Sequence, residues 1–105
     1  MEGVVRVPPR ETYNKIKADQ ALLVCGYESD ARFEKYRLEG AISFNDFKAR
    51  FPSLPVEQEV VFYCNCTDER SAAAQAANYM AMGYPNMEAL LGGVEGWKAE
   101  GLPVL

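Results

Sequence analysis

Two stretches of the chain are apolar without a break, "ALLVC" at residues 21–25 and "VVFYC" at the end of "EVVFYC", residues 59–64. Short continuous runs of β-branched and aromatic residues fit strands buried on both faces, a setting found where helices cover a sheet from either side. Between and around these runs the period changes. Residues 4–7 suit a short strand, which Pro8 and Pro9 end before a helix over about 10–17. Residues 30–39 carry charge at helical spacing, with Ala31, Phe33 and Tyr36 left for packing. A brief strand is expected at 41–43, then a turn or two of helix through 44–51, with Pro52 and Pro55 marking a loop. An alanine-rich helix should follow over about 70–82 and stop at Gly83, since glycine readily takes the left-handed conformation that closes helices. Residues 86–90 are the last strand, and Gly92-Gly93 turns into a short helix over 94–100, stopped by Gly101 and Pro103.

Strands that alternate with helices at this spacing predict an α/β fold: a small, open, mostly parallel β-sheet flanked by helices on both faces, because parallel neighbours need crossover connections. With 105 residues, 49% of them hydrophobic, the chain reads as one domain over 1–105 with a single core. No repeat or low-complexity linker interrupts it. Sheets of this kind bind ligands outside the carboxyl ends of their strands, and Cys64 stands at such an end.

Charge narrows the partners. A net charge of −4 with 11 scattered basic residues argues against a nucleic-acid or anionic-membrane surface, which needs clustered Lys and Arg. The opening "MEGVVRVPPR" lacks the apolar run of a signal peptide, and no stretch approaches the length of a membrane span, so a cytoplasmic, monomeric, soluble protein is expected. Three cysteines cannot pair completely, and in a reducing compartment they stay free. With no His, and Cys64 and Cys66 at C-x-C spacing, no metal site is expected, and no cofactor is implied.

The segment "VVFYCNCTDERSAAAQAANYM" carries the chemistry. A loop from a buried parallel strand to a helix N-terminus gathers unpaired N–H groups and the positive end of the helix dipole. That field draws anions and favours a thiolate, the nucleophilic form of cysteine. Cys64 is the candidate nucleophile. Arg70 is the candidate cation clamp. Asn65, Thr67, Asp68, Glu69 and Ser71 are the candidate loop residues around a bound anion. Asp68 and Glu69 also read as acidic helix caps, and Thr67 and Ser71 as ordinary helix-start residues. Cys66 sits inside the polar run, as a resolving thiol or a second nucleophile. Cys25 ends an apolar strand and reads as a buried small hydrophobe, which is also the plain alternative for Cys64. Tyr27 and Tyr36 belong near the mouth of the loop. Tyr79, Met80, Met82 and Tyr84, at helical spacing, read as core.

These residues give the chain a resemblance. "ALLVCG", "LEGAISF", "EVVFYC" and "RSAAAQAANYMAMGYPNMEALLGGVEGWKAEGLPV" together resemble a single rhodanese-like domain, and "ALLGGVEGWKAEGLPV" is similar to that family's signature ending, in which a Gly-Gly turn and a Trp helix lie beneath the active-site loop. The resemblance maps the catalytic Cys onto Cys64 and the "RSA" helix start onto Arg70 and Ser71. It implies a sulfurtransferase or sulfur carrier that moves sulfane sulfur through a cysteine persulfide. The partners would be a small sulfur-containing anion as donor and a thiol or cyanide-like acceptor, a protein acceptor included. Cys66 would then attack the Cys64 persulfide and release sulfide.

The chain also departs from the pattern. Cys25-Gly26-Tyr27 stands where the family has Asp-x-Arg, and Arg37-Leu38-Glu39-Gly40-Ala41 stands for His-Ile-Pro-Gly-Ala. Arg70 comes six positions after Cys64 and four after Cys66, where sulfurtransferase loops place it five after the Cys. The six-position spacing is that of related Cys-based phosphatases and arsenate reductases. Oxyanion chemistry and a catalytically silent docking module are therefore the two alternatives.

Overall fold

The computed structural model describes residues 3–65 and 69–105. In chain order the elements are β1 (Arg6–Val7), α1 (Pro9–Lys17), β2 (Ala21–Cys25), α2 (Asp30–Lys35), β3 (Ala41–Ile42) and α3 (Phe44–Arg50). They continue with a single 3₁₀ turn (Phe51–Ser53), then β4 (Glu59–Tyr63), α4 (Arg70–Ala81), β5 (Met87–Leu90) and α5 (Gly93–Ala99). The strands form one five-stranded sheet in the order β1-β5-β4-β2-β3. Every pairing between them is parallel, so the expected open parallel sheet is found.

Helix boundaries follow local chemistry. Pro9 opens α1, where a missing N–H costs nothing. Ser29 and Ser43 cap α2 and α3, their hydroxyls accepting from the N–H groups of Arg32 and Asp46. The segment 30–39 was expected to be helical throughout, but α2 ends at Lys35. A tertiary contact overrides the helical period there. The chain's last residues pair with residues 37–39 through an antiparallel bridge between Leu38 and Val104 and hydrogen bonds from Glu39 N–H to the Pro103 carbonyl and from Leu105 N–H to the Arg37 carbonyl. The Tyr63 hydroxyl also donates to the Tyr36 carbonyl at 2.9 Å. Tyr36 and Arg37 thus give their carbonyls, and Leu38 its fully buried side chain, to tertiary structure rather than to another helical turn.

The pleat of the strands divides the core in two. On one face Val24, Val60 and Phe62 pack with Phe44, Phe47 and the Ala72, Ala73, Ala76 stripe, the contribution of α3 and α4. On the other, Leu23, Cys25, Val61 and Tyr63 pack with Phe33, Val94 and Trp97, from α2 and α5, with Tyr13 and Ile16 of α1 alongside. Val60, Val61 and Phe62 are completely buried, each burial of this kind contributing about 1.5–3 kcal/mol. Tyr79, Met80 and Tyr84 do pack against the first cluster, Tyr79 edge-on to Phe47 with ring centroids 5.2 Å apart, while Met82 is exposed. Among the described residues no helix is long and apolar enough to cross a membrane.

The amino end of the sheet gathers charge. Lys15 of α1 reaches Glu59 at 2.7 Å and Glu11 at 3.2 Å. Beside them lies Glu88, with Oε1 buried and no donor facing it. Burial, then the hydrogen bond and charge of Glu59, push the Glu88 carboxyl up to about 8. Burial works against Glu59 as well, yet its hydrogen bonds with Glu88 and Lys15 hold its carboxyl below the usual value. The two carboxyls are thus driven apart, Glu88 upward and Glu59 downward.

The proton bound by folded Glu88 stabilises the native state fully below its unfolded value of 4.5, and that stabilisation is lost as the pH rises through about 8. Urea midpoints should therefore fall between about pH 5 and about pH 8.5. Glu88→Gln, neutral throughout and still able to donate to Glu59, should flatten that slope. An equal slope in Glu88→Gln assigns the dependence to other groups.

Candidate active site

The sheet order sets where a site can form. From β2 the chain runs through α2 to the edge strand β3, whereas from β4 it runs through α4 to β5 on the other side. α2 contributes Phe33 to one core face and α4 its alanine stripe to the other, so the two exits diverge. Between adjacent parallel strands whose exits diverge, a crevice opens at the carboxyl ends. The residues at its lip are Gly26 and Tyr27 after β2, and Cys64 and Asn65 after β4.

Three bonds hold the lip together. Gly26 N–H donates to the Tyr63 carbonyl at 2.7 Å, Cys64's carbonyl accepts from Val94 N–H at 3.1 Å, and Asn65 N–H donates to the Tyr27 hydroxyl at 3.0 Å. Gly26 has a steric reason as well: a Cβ there would lie 3.1 Å from the Tyr63 carbonyl oxygen and 3.4 Å from Ala72 Cα. Its absence lets the first turns of α4 close onto the end of β2, where Gln75 Nε2 donates to the Gly26 carbonyl at 3.2 Å. On the other side, Gly92 and Gly93 both take positive φ, 78° and 61°, which turns β5 sharply into α5 and brings Val94 under Cys64. Trp97 anchors α5, completely buried, its indole N–H donating to the Pro103 carbonyl at 2.8 Å.

The sequence-predicted residues fall as follows. Cys64 is the first residue beyond β4, and it is fully buried, its side chain grouped with the α4 alanines. Asn65 is half-buried, with Nδ2 donating to the Tyr36 hydroxyl at 3.4 Å. Cys66, Thr67 and Asp68 lie outside the described residues. Arg70 opens α4 as an exposed residue, and Ser71 follows it half-buried. Cys25 lies on the opposite face of the sheet from Cys64, completely buried. Tyr27 and Tyr36 do reach the mouth, as expected, with ring centroids 6.1 Å apart and the Arg32 guanidinium 4.8 Å above the Tyr27 ring.

Glu69 differs from the expectation of an acidic cap. It occupies the N-cap position of α4, but no side-chain bond caps the helix. Its backbone is left-handed, φ 57° and ψ 22°, and its side chain turns inward. Oε1 pairs with Arg6 Nε at 3.1 Å and Oε2 accepts from Gly92 N–H at 2.9 Å. Only 8% of Glu69 is exposed. Arg6 and the Gly92 amide are thus parts of the loop's surroundings that residue spacing did not reveal. The signal lies in topology: β1 pairs with β5 through Arg6 and Ala89, and that pairing carries Arg6 to the end of β5. Among the described residues no cluster of three or more His, Cys, Asp or Glu side chains could hold a metal ion.

Comparison with known proteins adds three facts. The family model for the rhodanese-like domain matches residues 9–100. No curated protein matches the chain. Solved structures do share the fold. The human single-domain sulfurtransferase TSTD1 is 17% identical with a TM-score of 0.76, covering 93% of this chain and 98% of its own. A thiosulfate sulfurtransferase from Pseudomonas aeruginosa is 17% identical with a TM-score of 0.75, over 97% of this chain and 20% of its own. RPA3614 from Rhodopseudomonas palustris, described as a protein of unknown function and possible tyrosine phosphatase, is 16% identical with a TM-score of 0.76, over 97% of this chain and 85% of its own. Likeness at these identities speaks for the fold alone.

Cys25 should be inert towards thiol reagents in the folded protein. Burial, the largest cause, pushes the Cys25 thiol up, against weaker opposing hydrogen bonds at Tyr27 and Tyr63. Cys25 should stay unlabelled by iodoacetamide in the folded protein at pH 7 to 9 and react only after unfolding, as peptide mapping by mass spectrometry would show. Labelling of native Cys25 would mean that its face of the sheet opens.

Proposed function

The chain belongs to the rhodanese-like domain family, and on that premise we propose that it is a sulfurtransferase or sulfur carrier working through a persulfide on Cys64. The Cys64 thiolate attacks the outer sulfur of thiosulfate, the S–S bond breaks, and sulfite leaves with the bonding electron pair. A thiol or cyanide acceptor then takes the outer sulfur and returns the thiolate. The observation that carries this reading is the position of Cys64, one residue past the central strand at the divergence of β2 and β4, with Arg70 opening the next helix. Backbone N–H groups between residues 65 and 70 would hold the donor anion, and the Arg70 guanidinium would clamp it. The Asn65 N–H is occupied by the Tyr27 hydroxyl, so Tyr27 must yield or share that donor when an anion binds.

Cys66 enters as the resolving thiol. Its thiolate would attack Cys64 Sγ, form a Cys64–Cys66 disulfide and expel the outer sulfur as hydrosulfide. The six-position separation of Cys64 and Arg70 favours one second reading, attack of Cys64 on a phosphorus- or arsenic-centred oxyanion. Release of p-nitrophenol from its phosphate, abolished by Cys64→Ser, would support that reading instead.

Intact-mass measurements after incubation with thiosulfate test the proposal. Wild type and Cys66→Ser should each gain one sulfur, and Cys64→Ser none. The loaded wild type should discharge sulfide while Cys66→Ser holds its persulfide far longer. Loading that survives in Cys64→Ser transfers the nucleophile's role to Cys66. No loading in any of the three proteins overturns sulfur transfer.

A second measurement concerns the clamp. Arg70→Ala should slow transfer from thiosulfate by roughly 30-fold or more, the effect of losing about 2 to 4 kcal/mol of charged hydrogen bonding. Arg70→Lys should lose less, since an ammonium restores charge but not the planar paired donors. Unchanged kinetics in a folded Arg70→Ala protein would leave Arg70 a role in the helix only.

A further inference from the structure

Glu69 is the residue through which the loop becomes helix, and both its backbone and its side chain are committed. A non-glycine residue in the left-handed region is uncommon, and a carboxylate so buried is rare unless paired. Here Oε1 meets Arg6 Nε and Oε2 meets Gly92 N–H, while the Glu69 carbonyl accepts from Ala73 N–H at 2.8 Å and begins the α4 ladder. An acidic N-cap side chain ordinarily folds back onto the N–H groups of its own first turn. That of Glu69 does not. It points instead to β1 and to the Gly92–Gly93 turn, two elements distant in sequence.

We propose that Glu69 is a positioning residue for Arg70. Its carboxylate ties the carboxyl stem of the loop to the β1 and β5 side of the sheet, and this fixes the direction in which α4 starts and Arg70 is presented. The same contact removes a negative charge from the anion's surroundings by pairing it with Arg6, and it leaves the first-turn donors of α4 uncapped by the Glu69 side chain. The proposal rests on the reading of Arg70 as the anion clamp. Its test separates the two.

Glu69→Gly and Glu69→Gln are compared with wild type, each also in an Arg70→Ala background. Glycine keeps the left-handed backbone without strain, so folding survives while the tie is lost. Glutamine keeps one oxygen for the Gly92 amide without the charge. Single-turnover loading by thiosulfate should slow about tenfold or more in Glu69→Gly and less in Glu69→Gln. In a Cys66→Ser background, which holds its persulfide, discharge of preloaded persulfide to cyanide should slow far less than loading does, since that half-reaction holds no thiosulfate anion. In the Arg70→Ala background, Glu69→Gly should cause no further loss of loading. An equal further loss there, or unchanged loading in Glu69→Gly itself, overturns the proposal. If the wild type takes no sulfur, sulfur transfer fails, and the tie is read from binding alone. Thiosulfate should then shift the Arg70 side-chain Nε–H resonance in wild type and not in Glu69→Gly. A retained shift in Glu69→Gly, or none in wild type, overturns the positioning role.

Discussion

The parallel pairing of β2 with β4 is the constraint on which the rest depends. It is the longest pairing in the sheet, running from Ala21 opposite Glu59 to Cys25 opposite Tyr63. Both strands have parallel neighbours on each side, so neither can end in a tight hairpin. Each must leave through a loop that finds a helix, and because the helices diverge, the two loops part and leave a cleft. A slip of one residue would exchange the two faces of β4, sending Phe62 into the layer of Trp97 and Tyr63 into the layer of the α4 alanines. Tyr63 would then lose the carbonyl of Tyr36 and leave a buried hydroxyl without its acceptor. The register therefore keeps Cys25 and Cys64 in different core layers, on opposite faces of the sheet.

The two ends of the sheet have divided their chemistry. The amino end carries Lys15 paired with Glu11 and Glu59, and beside them Glu88, whose carboxyl burial pushes up to about 8. The carboxyl end carries a thiol, backbone donors and Arg70, while the Glu69 carboxylate there is matched by Arg6. The half-buried carboxyls of Glu59 and Glu88 and the tethered carboxylate of Glu69 thus sit at opposite ends of the sheet, each in its own local charge balance.

Much of this was legible in the sequence, because uninterrupted apolar runs and the Gly-Gly turn are local signals. "ALLVC" and "EVVFY" became two of the three interior strands, and "GGVEGWK" became the turn and the helix beneath Cys64. The failures share one cause. The helix expected over 30–39 stops early because the far end of the chain claims Leu38, and Glu69 is a tether rather than a cap because strand order delivers Arg6 and Gly92 to it. Both depend on pairings between segments more than 60 residues apart for Arg6 and Glu69, and spacing within a motif carries no information about those. Tyr27 lies between these cases: its place at the mouth was readable, but its bond to the Asn65 amide was not.

The stem of the loop is fastened on each side by atoms that do not belong to the three residues between. On the entering side the Cys64 carbonyl and Asn65 amide are held by Val94 and Tyr27, and on the leaving side the Glu69 side chain is held by Arg6 and Gly92. The two stems are therefore positioned by β1, by Tyr27 beyond the end of β2 and by the Gly92–Gly93 turn into α5, so the stability of those distant elements sets how firmly both ends of the loop are held.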